Sequence, residues 1–525
     1  GLNMDKITFT VIILFCCILL SAQNSAEEPP LFEQGVAHYY HKFHTGEPDA
    51  FKKADSVFTA LKNSGNFASP YQRIATDLYL IRIGQQGSPE EDLKHIGELI
   101  DSYESQALED QELYDMLLYY KALLRLYVGQ PGAKEDLLKI AEEHLNNAEP
   151  NYEIAAMAYD NLSRSSMRKD DYQAAKTAAQ YGEKAIEYYD KAGFKAMYVA
   201  TIQFVGGCYH WMDQAEKSLA YMEKAYGLLK TFDHPNAIRL SQLAFNIALI
   251  NAGQFANKQK SIDFFKESIH YQIQGRGETD FLVMLYSLLA DVYFELKDIE
   301  QAEYYAEKGY VLANDVLKLE SVYYRCLPSM SYSRIYAAKG DFKNARRMID
   351  KVVEESLDFF GEDNKFTVQA FNDKAHVEMQ AKNYKQAQGY LMRAVTAAEN
   401  TGRVYSKLSA YQKLVELYFE SENYDKALEA AKVYYNLNEA ALAGDYMSKA
   451  NAQLMLARGY MGTQFLDSAQ VHIKEAKKVL SNEHSNTDVV ARLNGLSLET
   501  LLHLKKYKAN NAQLDLDKAY SNVAL

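Results

Sequence analysis

Residues 290–302 read ADVYFELKDIEQA, and this stretch decides the fold. A small residue, Ala290, is followed three places on by an aromatic residue, nine places on by an apolar one and twelve places on by a second small one, Ala302. A small residue lets a neighbouring helix approach closely, and an aromatic residue one turn later fills the space between the two helices. The stretch therefore predicts a pair of helices packed against each other.

The same frame recurs along the chain. Its first positions, in chain order, are Ser163, Gly206, Ala290, Ser333, Ala375, Val415 and Ala457. Successive starts lie about 42 residues apart, and recurrence on that scale is typical of a repeat architecture. The step from Gly206 to Ala290 is twice as long, which predicts a further frame near Ala248.

The spacing extends beyond these seven frames. Forward it predicts a start at Leu498, and backward it reaches Tyr120, Tyr79 and Tyr39, so that the chain holds about twelve hairpins. Short links such as residues 339–341 (KGD) supply the turns, and no alternating apolar run indicates a strand. Since one hairpin cannot bury its apolar face alone, the hairpins are expected to stack into an all-α array.

Two segments connect this frame with a known family. Residues 297–302 (KDIEQA) and 423–428 (NYDKAL) resemble the inter-helix turn and second-helix opening of the tetratricopeptide repeats (TPR). The longer step is similar to the variant of kinesin light chains and many bacterial arrays, and residues 234–235 (HP) and 360–363 (FGED) resemble its linkers. The resemblance implies a right-handed superhelical α-solenoid of stacked antiparallel helix hairpins.

The resemblance covers the chain unevenly. It is close over residues 150–505 and loose over 31–149. It therefore implies divergent N-terminal helical hairpins at 31–149, followed by a TPR array at 150–525. The last hairpin of the array is degenerate, because Asn510 stands where a small residue is expected.

The composition describes a folded, acidic protein. Of the 525 residues, 48% are hydrophobic and 24% are charged, which excludes global disorder. The net charge is −13 and no basic block occurs. An acidic surface repels a phosphate backbone and anionic lipid alike, so the expected partner is a protein or peptide and not a nucleic acid.

The N-terminus predicts export. Residues 4–6 (MDK) precede an apolar run at 7–20, and residues 21–23 (SAQ) offer a small-residue cleavage site. The run is shorter than the roughly 20 residues that span a bilayer and has the length of a signal-peptide core. We therefore expect a signal peptide at 1–22 that is cleaved after Ala22, a linker at 23–30, and a periplasmic or secreted protein.

Attachment to a membrane is not the expected alternative. Cys16 and Cys17 raise the possibility of lipidation, but Phe15 stands where a lipoprotein signal carries a small residue. Beyond the signal, no segment approaches about 18 uninterrupted apolar residues, so the mature chain is expected to have no membrane span. Its two remaining cysteines, Cys208 and Cys326, do not form a disulfide framework and are predicted to be buried as small hydrophobic residues.

No motif predicts catalysis or a cofactor. The sequence lacks His-Glu-x-x-His, Cys-x-x-Cys, Gly-x-Ser-x-Gly and the phosphate-binding Gly-Lys-Ser/Thr loop. His38, His41 and His44 have a spacing that brings imidazoles onto adjacent parts of a helix, which is the one candidate metal cluster. No cysteine joins them and aromatic residues surround them, so ordinary packing is the preferred interpretation. The chain is expected to be neither an enzyme nor a metal or cofactor binder.

The predicted site is the concave groove of the array. First-helix residues line that side in such arrays, and a peptide or partner helix lies there. Residues one place after the small frame position are expected to face the groove: Asp291, Arg334, His376, Glu416 and Arg458. Residues four places after it are expected to flank them: Phe294, Met379, Phe419 and Met461. Mixed charge with Phe and Met suits a partner helix or loop better than a single anionic terminus.

Three functions remain open at this point. The first is an exported, non-catalytic scaffold for protein contacts. The second is a sensory or adaptor array of a larger signalling protein, because arrays with an export signal ending in Ser-Ala-Gln resemble those of Bacteroidetes-type bacteria, where they precede a kinase, a regulator or a caspase-like peptidase. The third is an enzyme built into the superhelix, which requires a converging His or carboxylate cluster. The first is preferred.

Overall fold

The computed structural model describes most of the chain after the predicted signal peptide. It covers residues 30–519 apart from 48, 85–86, 169–170, 213, 254–256, 403, 442–445, 482–488, 511–514 and 516. Residues 1–22 and nearly all of the linker therefore lie outside the described residues. Within the described ranges the regular structure is helical and contains no β-strand.

The described chain divides into two compact units, and the boundary passes through one helix after Val205. The first unit comprises residues up to 168, 173–205 and 231–236. Its helices are α1 (Leu31–Thr45), α2 (Ala50–Ser64), α3 (Pro70–Ile83), α4 (Pro89–Ser105), α5 (Gln111–Tyr127), α6 (Ala133–Asn146), α7 (Tyr152–Ser166), α8 (Tyr172–Lys191) from its second residue on, and the first part of α9 (Lys195–Trp211).

The second unit comprises 169–172, 206–230 and the residues from 237 onward. After the end of α9, its helices are α10 (Ala215–Lys230), α11 (Ala237–Gly253), α12 (Lys258–Arg276), α13 (Asp280–Glu295), α14 (Ile299–Val311), α15 (Val322–Ala338), α16 (Phe342–Phe360), α17 (Lys365–Gln380), α18 (Tyr384–Thr401), α19 (Val404–Glu420), α20 (Tyr424–Ala441), α21 (Tyr446–Gly462), α22 (Leu466–Ser481) and α23 (Val489–Asn510). A π-helical turn at Leu312–Val316 extends α14.

Consecutive helices pair as antiparallel hairpins, and each hairpin packs on the next within its unit. The predicted all-α architecture of stacked helix hairpins is confirmed within each unit. The third position of the frame begins the second helix of a pair in α14, α16, α18, α20 and α22. The second small residue is completely buried in each of them: Ala302, Ala345, Ala387, Ala427 and Ala469. Where a frame was predicted near Ala248, that residue is buried in α11, and Ser261 of α12, thirteen places on instead of twelve, is buried as its small counterpart.

Two turns inside the hairpins share one geometry. In each of them a residue with positive φ, Lys297 or Gly340, leaves the first helix, and the next residue is an aspartate. That aspartate donates its backbone N–H to the aromatic carbonyl five places earlier, at 3.0 Å for Asp298 and Tyr293. Its carboxylate then accepts the N–H three places later, which caps the second helix.

Gly340→Ala is expected to lower the free energy of unfolding by about 1 kcal/mol, because a Cβ strains a residue in the left-handed region. Gly340 has φ 78°. Lys382 occupies the same place in the next hairpin with φ 62°, so Lys382→Gly relieves strain and is expected to leave stability unchanged or slightly higher. Thermal unfolding of both variants is the measurement. A loss of stability in both of them would contradict this account of the turn.

Candidate partner-binding face

Five predicted groove residues form one row along the first helices of the second unit. Asp291, Arg334, His376, Glu416 and Arg458 lie on α13, α15, α17, α19 and α21 in turn, and we call them the first-helix row. The first four are half-buried and Arg458 is exposed. Each follows the small frame residue directly, so each lies at the same level of its helix.

The row is joined by contacts between neighbouring hairpins. Arg334 donates from Nη2 to Oδ1 of Asp291 at 2.6 Å, and Ser331 donates to the same oxygen at 2.7 Å. The two charged side chains are 22% and 28% exposed, so water partly screens the pair. The Nε of Arg334 has no hydrogen-bond partner in the described residues. The Arg334–Asp291 ion pair therefore holds α15 against α13, and the Nε donor of Arg334 is left without a partner among the described residues.

The centre of the row is a histidine held neutral. Burial, together with the charges of Lys413 and Arg334, lowers the pKa of His376 to about 4. Asp373 lies one turn earlier on α17 and is only 5% exposed. Burial raises the pKa of its carboxyl group, whereas nearby Arg334 lowers it. The Oδ1 atom of Asp373 accepts from Gln369 at 3.3 Å, and its Oδ2 atom has no partner among the described residues.

The far end of the row carries both signs of charge. Lys413 donates to Glu416 at 2.7 Å, and both side chains are 32% exposed. The guanidinium of Arg458 lies 4.1 Å from the ring centre of Phe419, which joins α21 to α19 by a cation–π contact. Burial and the nearby carboxylate of Glu416 raise the pKa of Glu420, which is exposed beside them. Acidic, basic and aromatic surface therefore alternate over a short distance.

The four predicted flanking residues lie in less open places. Met379, Phe419 and Met461 are 2%, 7% and 4% exposed and belong to the hydrophobic core between hairpins. Phe294 is half-buried, and the ammonium of Lys297 lies 5.7 Å from its ring centre. Contact of these four with a partner stays a prediction. In the folded chain, three of them pack against neighbouring helices and support the row from beneath.

Asp373 is a polar residue of this face that the frame did not single out. It occupies the place two before the small residue Ala375, where the frame makes no distinction between core and surface. Its signal in the sequence is a run of three polar residues, 372–374 (NDK), between the apolar residues Phe371 and Ala375. Only the packing of α15, α17 and α19 shows that this carboxyl group is buried.

In the described residues of the first unit, a buried cluster occupies the first-helix side. Arg82 of α3 donates to Glu153 of α7 at 2.7 Å and to the hydroxyl of Tyr39 of α1 at 3.0 Å. The hydroxyl of Tyr40 also donates to Glu153 at 3.1 Å. The guanidinium carbon lies 4.5 Å from the ring centre of Tyr39. The rings of Tyr79 and Tyr120 complete the cage, at 5.0 and 5.5 Å.

The three N-terminal histidines contact separate partners. His41 pairs with Glu47 at 2.8 Å, and the Nδ1 of His44 lies 3.0 Å from the carbonyl oxygen of Gly193. Burial lowers the pKa of His38 and of His44. Among the described residues no group of three His, Cys, Asp or Glu side chains is placed to hold a metal ion.

Two further features bear on the sequence expectations. Cys208 and Cys326 are buried, as predicted, and burial raises the pKa of the Cys326 thiol to about 12. In the part of the chain that the structure describes, no helix is long and apolar enough to cross a membrane.

Acid is expected to weaken the second unit through His376. Its folded-state pKa of about 4 lies below the ordinary 6.5, so the unfolded chain binds a proton first. The stability that this histidine contributes is complete above pH 6.5 and is lost as the pH falls towards 4. The melting temperature of wild type is therefore expected to fall more between pH 7 and pH 4 than that of His376→Gln. Parallel curves for the two proteins would contradict the burial of a neutral imidazole.

Comparison with known proteins gives matches of low similarity. No family model matches the sequence, and no curated protein matches it. Among solved structures, the quorum sensor NprR from B. thuringiensis is 12% identical with a TM-score of 0.46, over 66% of this chain and 94% of that chain. Yeast Tom70 is 13% identical with a TM-score of 0.41, over 90% and 95%. A STAND ATPase with a tetratricopeptide repeat sensor from Pyrococcus horikoshii is 15% identical with a TM-score of 0.41, over 93% and 86%. At these values the matches carry no argument about function.

Proposed function

We propose that the chain is an exported, non-catalytic scaffold that binds a protein or peptide segment along the first-helix row. The observation that carries this proposal is the continuity of the row over five helices, α13 to α21. Its members are partly exposed and include acidic, neutral and basic side chains. Such a surface offers hydrogen bonds and charge contacts to an extended or helical partner without supplying a nucleophile or a metal.

Peptides selected by the protein test this proposal. The chain from residue 23 onward is used to select binders from a displayed random peptide library, and the affinities of the enriched peptides are measured by fluorescence anisotropy. Arg458 and Glu420 are exposed residues at the open end of the row. The variant Arg458→Glu/Glu420→Lys is expected to weaken the selected peptides by about tenfold or more, because it reverses the local charge pattern.

A matched variant controls for the exchange of charges. Lys432 and Glu429 are exposed on α20, the second helix of the hairpin that carries Glu420. Lys432→Glu/Glu429→Lys makes the same charge exchange away from the row and is expected to bind the selected peptides as wild type does. If the two variants bind equally well, the binding site lies elsewhere on the protein and the proposal is wrong.

Export is a second part of the proposal, supported by the signal-like segment at residues 1–22. A reporter that is active only after export is fused behind residues 1–30. The fusion is expected to be exported and to begin at Gln23, as read by N-terminal sequencing. A start at Cys16 or Cys17 with an attached lipid would replace cleavage by signal peptidase with lipoprotein processing. Retention of an uncleaved fusion inside the cell would refute export.

A further inference from the structure

A cleft separate from the first-helix row lies between two second helices of the second unit. It has a volume of about 1020 Å³ and is lined by α16 on one side, by α18 on the other and by residues of α17. Its apolar lining comes from Val353, Leu357 and Tyr390. The volume is comparable with the upper end of ligand sites, and the shape is that of an open trough between helices.

The charged residues deep in this cleft are already satisfied. Glu378 of α17 is completely buried and accepts two hydrogen bonds from Arg346, at 3.0 and 2.9 Å. Lys374 pairs with the same carboxylate at 2.9 Å and with Asp350 at 2.7 Å. These groups hold α16, α17 and α18 together. They leave no unpaired charge at the bottom of the cleft for an occupant to neutralise.

The rim along α16 is different, because two of its three acidic groups, Glu354 and Asp358, have no ion-pair partner among the described residues, whereas Asp350 pairs with Lys374. Asp350, Glu354 and Asp358 follow one another at four-residue spacing on the wall of the cleft. Like charges at this spacing destabilise an isolated helix. Glu354 and Asp358 are exposed, and neither has an ion-pair or hydrogen-bond partner within the described residues. This edge therefore favours a partner that carries positive charge.

The opposite wall exposes bare backbone at Gly389. This glycine lies in the interior of α18, where glycine is about 1 kcal/mol less favourable than alanine. A Cβ there would meet no atom within 4 Å, so packing inside the chain does not require glycine. The corresponding residues of the other frames all carry side chains: Thr177, Ala220, Asp263, Tyr304, Arg347, Glu429 and Val471. A glycine facing the cleft lets an occupant approach the backbone of α18 closely.

We infer that this cleft docks an α-helix of a partner protein, with Lys or Arg along the edge that meets α16 and small apolar residues over Gly389. The apolar lining buries the face of that helix, the bare backbone of α18 allows close packing, and the carboxylates of Glu354 and Asp358 pair with its basic edge. A small polycation would use the carboxylates but would gain nothing from the apolar lining or from Gly389. This site is independent of the first-helix row.

Binding of designed helical peptides tests the inference. The fluorescently labelled peptide KLAKLAKKLAKLAK is the basic amphipathic probe, and ELAELAEELAELAE is its acidic counterpart. Anisotropy titrations of the folded chain are expected to show binding of the basic peptide alone. Glu354→Lys/Asp358→Lys and, separately, Gly389→Leu are each expected to weaken that binding by about tenfold or more. The leucine fills the cleft without changing charge, and the open space around Gly389 predicts that this variant stays folded.

Matched variants separate the cleft from general attraction to an acidic protein. Asp425→Lys/Glu429→Lys makes the same charge change at two exposed positions four residues apart on α20, and Gly227→Leu fills an open helix glycine on α10. Both are expected to bind the basic peptide within about twofold of wild type. Arg458→Glu/Glu420→Lys in the first-helix row is expected to do the same. If it does so, binding in the cleft is tested separately from binding along the first-helix row.

Three outcomes would overturn the inference. One is equal affinity of the basic peptide for wild type and for Glu354→Lys/Asp358→Lys. Another is equal binding of the acidic peptide. The third is displacement of the basic peptide by spermidine together with unchanged binding by Gly389→Leu, which would assign the cleft to simple polycations instead of a helix.

Discussion

Replacing Glu153 by alanine is expected to destabilise the first unit by about 3 to 5 kcal/mol. Glu153 accepts from Arg82 at 2.7 Å, and the Arg82 side chain is only 2% exposed. Without that carboxylate, a guanidinium remains buried among tyrosine rings with no ion-pair partner among the described residues. The effect is measured as the free energy of local opening of α1, α3 and α7 by hydrogen exchange, because a chain of this size is not expected to unfold in one step.

Two further variants identify the cause of that loss of stability. Arg82→Met/Glu153→Leu removes both charges at once and is expected to recover much of the stability, since an apolar pair of similar volume avoids the cost of burying ions. Glu187→Ala removes an exposed partner of Lys191 on α8 and is expected to change stability by less than about 0.5 kcal/mol. If Glu153→Ala has no larger effect than Glu187→Ala, the cluster does not hold the first unit together.

The second large effect is expected at Glu378. Glu378→Ala is expected to lower the free energy of local opening of α16, α17 and α18 by about 3 to 5 kcal/mol. This carboxylate is 1% exposed. It pairs with Arg346 and Lys374 and accepts a hydrogen bond from the side-chain amide of Asn383. Its removal leaves Lys374, which is 6% exposed, with the exposed carboxylate of Asp350 as its remaining partner. Glu354→Ala, on the neighbouring exposed edge, provides the matched control and is expected to be nearly silent. Hydrogen exchange in these three helices is again the measurement.

The pH dependence of stability shows whether Glu378 stabilises these helices through its charge or through packing alone. Although burial raises the pKa of Glu378, hydrogen bonds from Arg346, Asn383 and Lys374 outweigh that effect and lower the pKa to about 2, from an ordinary value of 4.5. The stabilisation is therefore complete above pH 4.5 and is lost as the pH falls towards 2. Glu378→Gln is expected to be less stable than wild type at neutral pH by about 3 kcal/mol and to lose that difference in acid. A constant difference at every pH would contradict the ionic explanation.

Much of the fold followed from periodicity alone. The recurring small residue and the apolar residue nine places later predicted hairpins, and the structure begins α14 at Ile299 and α16 at Phe342 accordingly. The backward extension to Tyr39 and Tyr79 also located first helices in the divergent part of the chain. These predictions hold because close packing of two helices at a small residue is a local requirement of a hairpin. In turns such as the one after Lys297, an aspartate cap after a left-handed residue is a second local requirement.

The sequence predicted which helices carry the candidate residues, but it did not predict how exposed each side chain is. The frame assigned Arg334 and His376 to first helices at equivalent levels. In the structure, Arg334 forms an ion pair with Asp291 on the adjacent helix, and the charge of Lys413 helps to lower the pKa of His376. The same frame treated Met379 and Phe294 alike, whereas the first is buried and the second is half-buried. Exposure depends on how closely the next hairpin approaches, which a spacing rule for one hairpin does not contain.

The sequence by itself determined that this chain is an array of helix pairs, because the apolar period, the small residues and the caps act within one hairpin and its immediate neighbour. Only the tertiary structure decided which polar residues became structural. Arg82 and Glu153 are 71 positions apart, and nothing local distinguishes them from charges on a solvated helix face. Stacking of the hairpins brings the two side chains together in a low-dielectric interior. Their attraction is stronger there than at a surface, and removal of either charge leaves the other one buried without its partner.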